Sequence, residues 1–218
     1  MLRDAREQLR DPQSKLLLEI QQALKDLKQA RTLREEDEWA ASRDPKTQVE
    51  TLNLLRSTRQ RFEEAEKTMT RLMTDRNARY LESWSAEQWI ALRRNTRYHR
   101  ARSAFERAYW YADEDRLNRV EAIQSASATL QDVAGQLGTD EPLWWDVVLA
   151  QVRALRQLQQ DHEAWQLLRK IDLATAPLKF RPWIVAEVMR LQNALGEATK
   201  ADQIATAILQ GEFGQDPE

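Results

Sequence analysis

Apolar residues in the first half of the chain recur every three or four positions, the spacing of one face of an α-helix. After Asp11-Pro12, Leu17, Ile20, Leu24 and Leu27 mark a helix that is expected to run to about Ala41. After Asp44-Pro45, Leu55, Thr58, Phe62, Ala65, Met69 and Leu72 form a narrow, heptad-like seam. That helix is expected to reach about Leu81, a length of ~55 Å at 1.5 Å per residue. In both Asp-Pro pairs the Asp can cap the helix and the Pro can occupy its first turn. Two long helices with one short break predict an antiparallel, coiled-coil-like hairpin over residues 1–84. Its Leu55–Leu72 seam could also serve a structural homodimer.

Ser85 and Gln88 have capping-box spacing and open a third helix to about Ala112. Its expected buried stripe is Tyr98, Ala101, Phe105, Ala108 and Ala112. A fourth helix covers about Arg116 to Gln136 and stops at Gly135 and Gly138. From Pro142 the helices shorten. Trp144, Val148, Val152 and Leu155 share one face. Asp161 can cap the next helix, which carries Ala164, Trp165, Leu168 and Ile171. Asp172 to Arg181 is a loop with Pro177 and Pro182 at its end. Ile184, Val188, Leu191 and Leu195 mark the following helix, which Gly196 breaks. Ala201, Ile204, Ala205 and Ile208 mark the last, ended by Gly211. The expected organisation is the hairpin over 1–84, a helical-repeat domain over 85–211 and a disordered tail over 212–218.

The repeat expectation rests on two stretches, Leu155 to Ala164 and Gln192 to Ala201. Each ends a helix, makes a short polar turn and enters a second helix at an alanine. Ala164 and Ala201 lie 37 residues apart, and a small residue early in the second helix lets antiparallel helices approach closely. Over Pro142 to Gly211 the sequence resembles the tetratricopeptide repeat family. Ala164 stands at that family's small position, Leu168 and Ile171 follow as its buried positions, and Pro177 falls near its terminal proline. In the second copy Gly196 and Ala201 match the turn glycine and the small residue, with Ala205 and Ile208 after them. Val152 departs from the pattern, standing where a small residue is usual, and the period exceeds the family's standard unit. The resemblance implies an all-α solenoid, with stacked αα-hairpins in a right-handed array, that binds a protein or peptide on its concave face. None of the family's ligand-binding residues transfers, and its basic clamp has no counterpart here.

Composition narrows the fold further. No glycine precedes Gly135, and Leu, Ala, Glu, Gln and Arg dominate, so about eight helices and no sheet are expected. A charged fraction of 31% suits long helices with solvated faces. The net charge of −2 gives no global attraction to nucleic acid or membranes. The absence of cysteine excludes disulfides, thiolate catalysis and Cys-based zinc sites. No apolar run approaches a membrane span, and Met1 to Leu18 is too charged for a signal peptide. The compartment stays open.

Candidate chemistry is sparse. His99 and His162 have no metal-ligand spacing. Asp161-His162-Glu163 reads as the polar start of a helix, and Glu35 to Glu38 as a solvated helix end. No glycine-rich phosphate loop is present. No catalytic, cofactor or metal residue is therefore expected. The strongest charge feature is Arg93 to Arg102, followed by Arg107. Arg93, Arg97, Arg100 and Arg107 share one helical face, flanked by Trp89 and Tyr111, and could hold a nucleic acid or another polyanion. The competing reading pairs them with acids on neighbouring segments, with Asp113, Glu114 and Asp115 as candidates. Of eight tryptophans, most are expected in the core. The favoured expectation is a non-enzymatic protein-interaction or scaffold module, whether a whole protein or a piece of a longer repeat protein.

Overall fold

A computed structural model describes residues 12–39, 44–74, 84–112, 115–171 and 175–209, with the side chains of Trp39, Ala205 and 207–209 outside the described set. The expected helix ends at Ala41 and Leu81, Asp11, the acids Asp113 and Glu114, Gly211 and the tail over 212–218 lie outside the described residues. So do the expected packing roles of Ala205 and Ile208.

The described residues are all-α, with eight helices and no strand. They are α1 (Pro12–Trp39), α2 (Pro45–Thr74), α3 (Ala86–Trp110), α4 (Arg116–Ala134), α5 (Pro142–Gln157), α6 (Asp161–Leu168), α7 (Arg181–Ala194) and α8 (Ala198–Leu209). No described helix is long and apolar enough to cross a membrane. The contacts divide the chain into two compact units, Met1–Thr129 and Leu130–Glu218. This division falls within α4 and puts α3 with the N-terminal hairpin, apart from the repeat-like helices.

In the first unit α1, α2 and α3 pack as an up-down-up bundle. Arg61 of α2 pairs with Asp26 of α1. Arg100 of α3 donates to Glu66 of α2 at 2.6 Å, and Gln48 at the start of α2 donates to the Trp110 carbonyl at the end of α3 at 2.7 Å. The α2 seam is buried at every residue the spacing marks: Leu55, Thr58, Phe62, Ala65, Met69 and Leu72. The α1 stripe is Leu16, Ile20, Ala23, Leu27 and Ala30, so Leu16 takes the place expected for Leu17, which is half-buried. Both stripes step by three and four, the pattern that gives shallow crossing angles. Leu55, Phe62, Ala65, Met69 and Leu72 share one core with those α1 residues and with Trp89 and Trp110 of α3. The seam is thus covered within its own chain.

Capping follows local chemistry. Asp44 accepts from the Thr47 amide at 2.9 Å and from its hydroxyl at 2.6 Å, which lowers its pKa. Ser85 and Gln88 complete their capping box. On α3, Tyr98, Ala101 and Ala108 are buried and Phe105 is half-buried; Ala112, expected on the same stripe, lies past the helix end and is half-buried. Trp89, Thr96, Ser103, Glu106 and Trp110 are buried as well, so α3 is covered on more than one face.

In the second unit α5 and α6 form one helical hairpin, α7 and α8 another, and α7 packs against both α5 and α6. Trp145, Leu149, Val152, Ala164, Leu168, Phe180, Ile184 and Leu191 belong to one core, with Trp144, Leu155, Ile171 and Val188 partly buried against it. Helix α6 ends at Leu168, earlier than the spacing through Ile171 implies, and closes in tight turns at Lys170 and Ile171. Its cap position is Gln160, without a side-chain bond. Asp161, expected as the cap, lies inside the first turn with Glu163, where both carboxylates face the positive end of the helix dipole.

Both hairpins turn through the same backbone motif. After α5, Gln159 has φ 60°, its amide bonds the Arg156 carbonyl at 2.9 Å, and the Gln160 amide bonds the Leu155 carbonyl at 2.9 Å. After α7, Gly196 has φ 80°, its amide bonds the Asn193 carbonyl at 3.1 Å, and the Glu197 amide bonds the Gln192 carbonyl at 2.8 Å. Each is a Schellman termination, with its left-handed residue just past the helix. Ala164 and Ala201 follow at the same offset, and both are buried.

Candidate functional site

The arginine face of α3 lies along α2. Glu66 of α2 takes Arg97 at 3.3 Å and Arg100 at 2.6 Å. Two of the four residues singled out for polyanion binding are therefore paired with an acid more than thirty positions upstream, and Asp115, one of the acids anticipated for that role, is exposed. Arg107 lies with its guanidinium 5.9 Å from the centre of the Tyr111 ring. Burial holds its pKa below the usual arginine value; Tyr111 and Glu63 oppose that shift, and Arg59 and Arg56 add to it. Arg59 is itself held by Glu63 at 2.6 Å. The Nε atoms of Arg93 and Arg107 are buried without a hydrogen-bond partner. The α2–α3 seam thus collects arginines faster than acids.

Buried charge also links α1 to α3. Glu106 of α3 lies 2.9 Å from Arg34 and 3.7 Å from Arg31. Burial raises its pKa, and the nearby arginines oppose that shift only in part. Asp37, within the acidic run at the end of α1, accepts from the Tyr109 hydroxyl at 2.9 Å. That run is consequently not wholly a solvated face.

The two histidines lie in different surroundings. His99 packs 6.2 Å from Phe62 and 5.0 Å from Tyr98, and burial, assisted by Arg102, lowers its pKa to about 4. His162 is exposed. No cluster of three or more potential ligands occurs among the described residues.

The second unit holds a cluster that sequence spacing did not single out. Glu187 of α7 has a side chain only 1% exposed, and three arginines reach it: Arg153 at 3.0 Å, Arg156 at 3.2 Å and Arg190 at 2.7 Å. Arg153 and Arg156 come from α5, so the cluster joins the first helices of the two hairpins. The Arg153 guanidinium also lies 5.3 Å from the centre of the Trp183 ring. Trp183 is 55% exposed, whereas Trp89, Trp110 and Trp145 are buried. A signal for the cluster was present: Arg153 and Arg190 are separated by the same 37 residues as Ala164 and Ala201. The chain matches no protein-family model, no curated protein and no solved structure in the comparisons made.

Proposed function

We propose that the chain is a non-enzymatic protein-interaction module whose second unit is a tetratricopeptide-like pair of stacked hairpins. The observation that carries this reading is the shared face of α5 and α7. Glu187 ties the first helix of one hairpin to the first helix of the other, and an exposed tryptophan stands beside the junction. In a stack of αα-hairpins, equivalent helices line one continuous surface. Exposed Trp and partly exposed Arg are the residue types that most often dominate binding energy at protein interfaces. The matching turns at Gln159 and Gly196 support the repeat itself.

The test is to capture a partner from the source organism, identify it, and measure its affinity for purified variants. Trp183→Ala is expected to weaken binding about tenfold or more, with Arg119→Gln at an exposed position of α4 as an unaffected control. A partner whose affinity ignores every substitution on α5 and α7 would remove this reading.

A second reading, polyanion binding along α2 and α3, is favoured by the crowding of Arg107 with Arg56 and Arg59. It requires a salt-dependent gel shift that disappears when Arg93 and Arg107 are replaced by Glu.

A further inference from the structure

We infer that the face shared by α5 and α7 receives an acidic, aliphatic segment of a partner protein, held by Arg153, Arg156 and Arg190 with Trp183 as its apolar contact. This inference rests on the interaction reading above and specifies the chemistry of the partner.

The charges do not balance within the cluster. Three guanidinium groups face one carboxylate. Glu187 is the buried member, and the arginine side chains are 36%, 32% and 51% exposed. A carboxylate in that position works as an anchor. It accepts Nε of Arg153 and Nη1 of Arg190 on one oxygen and Nε of Arg156 on the other. Each guanidinium carries further N–H donors, so the face keeps donors and two net positive charges at its surface. Holding the three groups in place beforehand reduces the ordering cost that long side chains normally meet on binding.

Trp183 supplies the apolar part. Arg153 stacked over the indole leaves the guanidinium edge available for in-plane hydrogen bonds. The rest of the ring stays open, Trp183 being 55% exposed. A ligand offering carboxylates alone would leave this apolar surface wet. One alternating acidic and aliphatic side chains would use both.

A protein segment fits better than a nucleic acid. Nucleic-acid binding relies on many phosphate contacts along a basic track. Here the excess is compact, and the whole chain carries a net charge of −2.

The probe is a short fluorescein-labelled peptide of alternating glutamate and leucine, titrated by anisotropy into the full chain. Control probes replace glutamate by glutamine or leucine by serine, and a single-stranded oligonucleotide serves as the competing class. The alternating peptide is expected to bind best. Arg190→Gln and Trp183→Ala should each weaken it about tenfold, and Arg119→Gln, at an exposed position of α4, should leave it unchanged. Both substituted side chains are more than half exposed, and circular dichroism melts verify that the variants fold. The inference is overturned by any of four results: no peptide binding, parental affinity retained in both variants, an equal loss in Arg119→Gln, or tighter oligonucleotide binding at the same residues. Self-association of the chain that Arg190→Gln abolishes would also overturn it, making the occupant a second copy. If the captured partner loses affinity with Trp183→Ala but not with Arg190→Gln, the interaction reading stands and the acidic chemistry alone fails.

Discussion

Gln159 and Gly196 occupy the same left-handed position, 37 residues apart, at the ends of α5 and α7. The amides of these residues and of their successors close both helices with the same hydrogen-bond pattern. One site uses glycine, which reaches positive φ without strain. The other uses glutamine, which does not. Identical backbone geometry with unequal side-chain chemistry gives two substitutions of opposite sign.

Gln159→Gly is expected to stabilise the chain by about 0.5–1 kcal/mol, the left-handed strain relieved less the added freedom of the unfolded chain. Gly196→Ala is expected to destabilise it by about 1 kcal/mol. An added Cβ at Gly196 meets nothing within 4 Å, so that cost is conformational rather than steric. Urea midpoints moving in opposite directions would bear this out. Equal shifts would show that the two turns are not equivalent.

His99 makes the first unit sensitive to acid. Its pKa falls from 6.5 to about 4 on folding, first through burial and then through Arg102. The fold therefore favours the neutral imidazole. Its contribution is present above about pH 6.5 and is lost as pH falls through about 4, a change of up to ~3 kcal/mol. Its Nδ1 is buried without a partner, so His99→Phe leaves no polar group stranded. The variant should lose less stability than the parent between these limits, as read by urea midpoints across the pH range.

Glu106 has the opposite sign. Burial raises its carboxyl pKa, and Arg34 at 2.9 Å, with Arg31 and Arg102, opposes that shift without cancelling it. A raised folded-state pKa means that stability is greatest below the ordinary glutamate value and declines as pH rises through the folded value. Glu106→Gln removes that titration. The difference between variant and parent should shift in favour of the variant from about pH 4 towards pH 7. A pH-independent difference would show that Arg31 and Arg34 fully compensate the charge.

The α2 seam was legible residue by residue because one repeated spacing there matches one packed face. At the start of α1 three consecutive leucines, Leu16 to Leu18, carry no period, and packing against α2 decides which is buried. The capping box at Ser85 was legible because it is local, whereas Asp161 was misplaced by one position because nothing in its neighbours fixes the first turn. The arginine face of α3 was visible, but its acid was not: Glu66 belongs to another helix, and only antiparallel packing brings it near. The same holds for Glu187, whose α5 arginines are 34 and 31 residues upstream. Helix periodicity identifies faces. Which faces meet depends on tertiary register, which a single sequence does not print.

Ala164 and Ala201 test the repeat most directly. Both lie five residues beyond the left-handed position of their turn, and they are 0% and 2% exposed. Ala164 belongs to the core with Trp145, Leu149 and Val152 of α5, and Ala201 lies in the first turn of α8, the helix that packs on α7. If the two hairpins are copies of one unit, the small side chain at each site is what lets the second helix approach the first. A leucine there must displace a neighbour or move a helix, because a close-packed interior cannot absorb three extra carbons. Overpacking of this kind costs about 1–3 kcal/mol, against about ±0.5 kcal/mol for a surface change. Ala164→Leu and Ala201→Leu should therefore each lower the urea midpoint, and by similar amounts if the two hairpins are copies of one unit. A loss at Ala164 alone would confine tight packing to the first hairpin and leave the second without the contact that a stacked repeat requires.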